Sequence, residues 1–262
     1  MPSIDAGKTG RLRGRPFFVG AGVSRTRGGA MAVCAALGAA MLAGAPSAHA
    51  AMRGYIVTSF DSIRVEAPVR IMLTTGSGVS GSGEGDRDAL DRVTLSVSGG
   101  VLTVTMAERP GTGFADGKPA QAPTLYLATG QLRRAQVIGG AVLTINELSG
   151  LEADLSLNGN GEIAVRRADV ERLSLYVGGG GRLSVAGAAR DVRASVNGPG
   201  TLDAAELDAR NATVANDGSG SIRLGAHGPV KVMSTGSGDT MIGGKPVCAI
   251  DQRGVGQVIC GE

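Results

Sequence analysis

The sequence predicts an all-β fold, a right-handed parallel β-helix or β-solenoid with coils of roughly 18–20 residues and Gly-x-Gly corners. Three observations carry that prediction: a glycine repeat, the apolar alternation around it, and an unusual composition. Gly-x-Gly triplets start at Gly159, Gly179, Gly198, Gly218, Gly236 and Gly254. Their second glycines are Gly161, Gly181, Gly200, Gly220, Gly238 and Gly256. A degenerate copy, Gly139-Gly140-Ala141, precedes the first by one further period. Repeats of this length mark stacked supersecondary units, none of which buries its apolar face alone.

Apolar residues sit at fixed even offsets from each triplet. Leu173, Leu175 and Val177 lie six, four and two residues before Gly179, and Leu183 and Val185 lie four and six after it. Ile163 and Val165, Leu202 and Ala204, and Ile222 and Leu224 repeat the later positions. Alternation with period two over short runs of Val, Ile and Leu is a strand with one buried face. Each unit therefore reads as strand, glycine corner, strand. Two glycines flanking a small residue are expected to permit positive φ and a close approach of neighbouring coils at the bend.

Composition agrees. The 262 residues include 44 glycines, 42% hydrophobic residues, only 3% aromatics and no Trp, as a thin core of aliphatic ladders with tight corners would require.

Residues 1–50 read as a leader. Met31 to Ala50 is an apolar run that follows Arg25 and Arg27, contains Pro46, and ends in Ala48-His49-Ala50, a small-x-small peptidase site. Cys34 lacks a lipobox before it. The leader holds 6 of the 26 basic and 1 of the 23 acidic residues, leaving 20 basic against 22 acidic in the mature chain. The basic excess thus belongs to the leader, and the pattern argues against a nucleic-acid footprint, which needs a basic stripe interleaved with stacking aromatics. Cleavage predicts an exported protein, periplasmic, outer-surface or extracellular, with no integral membrane segment.

Cleavage also leaves two cysteines, Cys248 and Cys260, six residues before and six after Gly254. Both offsets point inward in the other coils, so a disulfide clamping the last coil is expected, two buried thiols being the alternative.

The mature chain divides into a strand-rich segment at 51–107, a Pro- and Gly-rich loop at 108–122 and regular coils over 123–262. In the first, Phe60, Ile63 and Val65, Val69, Ile71 and Leu73, Val93, Leu95 and Val97, and Leu102 and Val104 alternate, with a hairpin turn at Gly99-Gly100. Whether that segment continues the solenoid or covers its end stays open at this level.

The chain resembles the family named for a putative auto-transporter adhesin head GIN domain. The resemblance covers nearly all of the mature chain and rests on FDSIRVEAPVRIMLTTG from Phe60, TLYLATGQLRRAQVIGGAVLTI, and the corners LNGNGEI, VNGPGTL, NDGSGSI and STGSGDTMIGG. PVCAIDQRGVGQVICGE is similar to the cysteine-closed last coil of some members. The resemblance implies an envelope-associated β-helical protein with no established enzymatic activity. An autotransporter ends in a barrel of membrane-spanning strands of about ten residues; no such segment is recognisable, so adhesion is carried by the family name.

Candidate sites are few, and no catalytic residue, metal or cofactor is expected. His227, in the turn Gly225–Pro229, reads as a solvated loop histidine with no nucleophile motif near it. The residues following the triplets are Glu162, Arg182, Thr201, Ser221, Asp239 and Gln257, so an acidic ligand is missing from most coils and a calcium ladder is not expected; a single weak site at Asp239 is the residual option. Asp191, Arg193 and Arg210 on adjacent coils could converge as in a polysaccharide lyase, although scattered surface charge is the commoner explanation. Tyr176 is the one candidate aromatic platform. The row Asn158, Asn197, Asp217 and Thr235, one residue before the corners, could present a hydrogen-bonding edge repeating every ~4.8 Å. It could equally be corner chemistry. The expected function is a non-enzymatic, adhesion-like binding module for an unknown surface, glycan or envelope component, with a lyase-like enzyme or a purely structural envelope protein as alternatives.

Overall fold

A computed structural model describes residues 51–108 and 122–261; the predicted leader and most of the predicted loop lie outside the described residues. The chain forms a β-solenoid of about six turns. Its first part contains strands β1 (Ala51–Gly54), β2 (Ser62–Val65), β3 (Arg70–Thr75) and β4 (Ser80–Gly85), a short helix α1 (Arg87–Arg92), then β5 (Val93–Ser98) and β6 (Val101–Met106). Next come β7 (Thr124–Thr129), β8 (Arg134–Ile138), β9 (Val142–Ile145), β10 (Leu148–Asn158), β11 (Glu162–Val177), β12 (Arg182–Val196) and β13 (Thr201–Asn216). The last are β14 (Ser221–Ala226), β15 (Pro229–Ser234), β16 (Thr240–Gly244), β17 (Val247–Gln252) and β18 (Val258–Cys260).

From β8 onward each coil pairs in parallel with the next. Leu155 stands over Ala135, Leu175 over Leu155, Ala194 over Leu175, Val214 over Ala194 and Val232 over Val214. All are buried, so the even-offset residues form one continuous column. Burying each Val, Leu or Ile contributes about 1.5–3 kcal/mol, which stacking alone makes available.

Each long strand bends twice, giving a coil with three sides rather than two. In β11 the inward residues are Ile163 and Val165, then Ala168 and Val170, then Leu173, Leu175 and Val177. Between them lie exposed neighbours, Arg166-Arg167 and Glu171-Arg172, where alternation breaks and the chain turns. The third side also absorbs the change in period. Ala204 pairs with Leu224 but Ala212 pairs with Val230, so the later coil is shorter, and the shortening falls in the stretch between these pairs.

The glycine corners follow mainly from close approach. A Cβ on any of the twelve triplet glycines would lie within 3.0 Å of a backbone oxygen in the preceding coil. Only Gly159 and Gly198 among them have positive φ, 132° and 158°. Gly139, in the degenerate corner below them, meets nothing within 4 Å and is instead left-handed, φ 93°.

The strands before β8 belong to the same stack, in an order that departs from the sequence. β2 pairs in parallel with β8 on one side and β6 on the other, and β3 does the same with β9 and β7. The coil formed by β2 and β3 is thus inserted between β6 and β7 on one side and β8 and β9 on the other. Beyond it, β5 closes on β6 and β4 on β7, both antiparallel, and β1 pairs with β4. Helix α1 buries Ala89 and Leu90 at this end, and the Leu90 carbonyl accepts from the Tyr55 hydroxyl at 3.0 Å and from Arg53 Nη1 at 3.1 Å.

Candidate binding face

The residues just before the glycine corner use their backbones for stacking and their side chains for the surface. The N–H groups of Gly178, Asn197, Asp217, Thr235 and Arg253 donate to Leu157, Val177, Val196, Asn216 and Ser234 of the preceding coils, at 2.8, 2.8, 2.9, 3.0 and 2.7 Å. Asn197, Asp217 and Thr235 are exposed and Asn158 is half-buried. Thr235 Oγ1 donates to Asp217 Oδ1 at 2.7 Å, and Asn158 Nδ2 donates to Ser156 Oγ at 3.0 Å. The predicted row is therefore aligned on one edge, and it includes Gly178 between Asn158 and Asn197.

Gly178 has a specific use. A Cβ there would lie 2.8 Å from Asn158 Oδ1 and from both Cε1 and the hydroxyl of Tyr176. Its missing side chain leaves room for the Tyr176 ring to lie along the face beside Asn158. Tyr176 is exposed, and its row runs Ser156, Tyr176, Ser195, Ala215, Met233, Asp251; the next row is Asp154, Ser174, Arg193, Thr213, Lys231 and Ala249. Small hydroxyls thus surround one aromatic ring on a rigid parallel sheet. Tyr176 was legible in the sequence as a lone aromatic, with Gly178 two residues on; that Asn158 of the preceding coil borders the same space appears only when coils are stacked.

Toward the bend at Glu171-Arg172 the face runs into a shallow groove of about 320 Å³ lined by Glu152, Arg172, Asp191, Arg193, Asn211 and Thr213. It continues into a second depression, about 520 Å³, which shares Glu152 and Arg172 and adds Arg134, Asp154 and the exposed Leu151. Cross-coil pairs neutralise most of these charges, with Arg134 at 3.4 Å from Asp154 and Arg172 at 3.5 Å from Glu152. Exposed pairs of this kind contribute about 0–1 kcal/mol each and mainly set the pattern of charge. Asp191 and Arg193, two of the three residues considered for a lyase, share the groove, and Arg210 is not among its lining. Asp191 accepts from Asn211 at 2.8 Å and lies 3.5 Å from Arg190.

The other candidates resolve into local structure. Asp208 lies against Nδ1 of His227, a partner that sequence reasoning did not supply; both side chains are largely exposed. Asp239 Oδ1 accepts the backbone N–H of Gln257 in the next coil at 2.9 Å, so its carboxylate serves a corner. Among the described residues no group of three His, Cys, Asp or Glu side chains is placed to hold a metal. Cys248 and Cys260 form a disulfide, with their Cα atoms 6.5 Å apart, across the last corner. Among the described residues no helix is long and apolar enough to cross a membrane.

A stack of parallel coils with an unbroken outward ladder defines an adhesin-like β-solenoid. The chain belongs to the family described as "Putative auto-transporter adhesin, head GIN domain", whose model matches residues 59–246. Solved structures share the fold. A putative adhesin from Bacteroides fragilis aligns with TM-score 0.73 at 19% identity, over 83% of this chain and 99% of that one. A putative lipid binding protein from Parabacteroides distasonis aligns with TM-score 0.63 at 18% identity, over 80% and 96%. A putative adhesin from Parabacteroides merdae gives 0.58 at 17%, over 80% and 95%. The comparison with curated proteins found no match.

Proposed function

We propose that this protein is an exported, non-enzymatic binding module that docks a cell-surface glycan or other envelope component through the face centred on Tyr176. The observation that carries the reading is the Tyr176 ring laid over Gly178 and flanked by Asn158, Ser156 and Ser195. A sugar ring presents an apolar C–H face and a rim of hydroxyls. An aromatic surface bordered by Asn and Ser groups complements both, at little ordering cost, because the scaffold is already rigid.

Membership in an adhesin-like family supports the same reading. Export rests on the small-x-small site ending at Ala50 and on a disulfide that persists in oxidising compartments.

The test is co-sedimentation of the purified protein with intact cells, envelope fragments and insoluble polysaccharides, with the supernatant assayed for released sugar. Saturable binding without sugar release is the expected result, and Tyr176→Ala should weaken it. Sugar release would establish an enzyme instead. Absence of binding to every surface would leave the fold with a structural role.

A further inference from the structure

The face that carries Tyr176 also carries positive charge that the protein does not neutralise, and we propose that its occupant is an acidic polysaccharide, a polymer of uronic acid residues whose carboxylates seat on Arg193 and Lys231. This rests on the surface-binding reading and names the chemistry of the ligand. The outward residues of this side form three parallel rows. The row nearest the bend, Glu152, Arg172, Asp191 and Asn211, is paired within itself and with its neighbours. Glu152 lies 3.5 Å from Arg172, and Asp191 accepts from Asn211 at 2.8 Å and lies 3.5 Å from Arg190. In the middle row Asp154 is held by Arg134 at 3.4 Å, and Ser174, Arg193, Thr213 and Lys231 follow on successive coils. Arg193 and Lys231 are exposed, and among the described residues neither pairs with a carboxylate.

The chemistry of the middle row selects the ligand. Arg193 stands between two half-buried hydroxyl side chains, Ser174 and Thr213. A planar guanidinium donates two parallel N–H bonds to a carboxylate, and flanking hydroxyls both donate to and accept from the hydroxyl rim of a sugar. Lys231 lies two coils beyond Arg193 in the same row, about 9.6 Å at a spacing of about 4.8 Å per coil. That is farther than one sugar ring spans, so a polymer running along the stack meets both cations. The third row, Tyr176, Ser195, Ala215 and Met233, gives the rings an apolar strip on the side away from the paired charges. That strip is one residue wide, too narrow to bury acyl chains. Each free cation stands alone and balances one negative charge, while Glu152 and Asp191 along the margin repel the second charge of a phosphate monoester. A carboxylate is therefore the better match.

Titration calorimetry of the purified protein with soluble polygalacturonate and alginate tests this, with carboxyl-reduced polygalacturonate as the same polymer without its charge. The protein should bind an acidic polymer, and more weakly as salt is raised, because exposed charges are screened over about 10 Å at 0.1 M. The reduced polymer should bind about tenfold more weakly or worse, two exposed charge contacts being lost. Arg193→Gln and Lys231→Gln should each raise the dissociation constant about fivefold, with the thermal midpoint unchanged. Arg223→Gln removes the same charge from another side of the coil, where Arg223 pairs with Asp203 at 2.6 Å, and should leave binding as it was. Binding to neither acidic polymer overturns the proposal, and so does equal affinity for the reduced one. In either case co-sedimentation with a neutral surface, weakened by Tyr176→Ala, leaves the surface-binding reading standing. An equal loss in Arg223→Gln and Arg193→Gln assigns the effect to net charge and overturns this placement of the ligand. Tighter binding to polyphosphate or to phosphatidylglycerol vesicles overturns the choice of a carboxylate polymer.

Discussion

The side-chain amide of Asn216 donates to the carbonyl oxygen of Gly220 at 3.0 Å, tying an inward strand position to the glycine corner that follows it. The same Nδ2 reaches Gly238 O at 3.1 Å and Thr240 Oγ1 at 3.3 Å, so one side chain joins two coils. Asn216 is fully buried, in a column that reads Leu157, Val177 and Val196 before it and Ser234 after it. Its Oδ1 and the Ser234 hydroxyl have no hydrogen-bond partner among the described residues. Replacing Asn216 by Ala removes the shared donor inside the core. A loss of about 1–3 kcal/mol is expected, read as a lower denaturant midpoint in urea.

The glycine corners divide into two kinds, and substitution should separate them. Gly220→Ala places a Cβ against the Gly200 carbonyl, where only backbone can give way. It should cost about 3 kcal/mol or more. Gly140→Ala meets nothing within 4 Å and has no left-handed φ. That change should be neutral or stabilise by up to about 1 kcal/mol through the unfolded chain. Thermal denaturation of the two variants makes the comparison.

Asn197 is exposed and its backbone carries the coil-to-coil bond, while the half-buried Asn158 side chain bonds to Ser156 on the same face. The double Ala variant should keep its stability within about 0.5 kcal/mol of the parent, as surface changes usually do. In co-sedimentation it should lose surface binding. Loss of folding would instead assign the pair to the corners.

Reducing the disulfide should loosen the last coil and little else. Closing a loop of this size stabilises by about 3 kcal/mol in the chain-entropy account. Hydrogen exchange should accelerate across residues 247–261 after reduction, with the coils from β10 to β13 unchanged.

Burial raises the pKa of Tyr55 above its ordinary value; Arg53 opposes the shift and Asp91 adds to it. The folded state then holds its phenolic proton at pH values where the unfolded chain has released it. Stability from this group is intact below the unfolded value of about 10 and falls as pH rises beyond it. Tyr55→Phe should flatten that alkaline decline, measured as the difference between two urea-denaturation profiles against pH.

Much of the solenoid was legible because its signals are local and repeated. The triplets set the period, and the even offsets marked two inward sides of every coil. The third side was also written in the sequence, in Arg166-Arg167 and Glu171-Arg172. These consecutive polar pairs break a period-two pattern only at a bend, but the residues between them, Ala168 and Val170, are too few to stand out as a strand. Asn216 escaped for a different reason. An Asn beside a corner reads as surface turn chemistry, and its inward position is evident only by register with Val196.

By itself the sequence determined the coil, its glycine corners and the inward offsets of Cys248 and Cys260 in the last repeat. Each follows from the side-chain period of a strand or from offsets within one repeat. Tertiary structure alone decided that β2 and β3 lie between β6 and β7 on one side and β8 and β9 on the other, because a strand's own side chains do not say which edge it will pair. It likewise decided that Tyr176 lies beside Asn158 of the preceding coil, across the space that Gly178 leaves. Those are relations between coils, set by backbone hydrogen bonds and close contact across the stack.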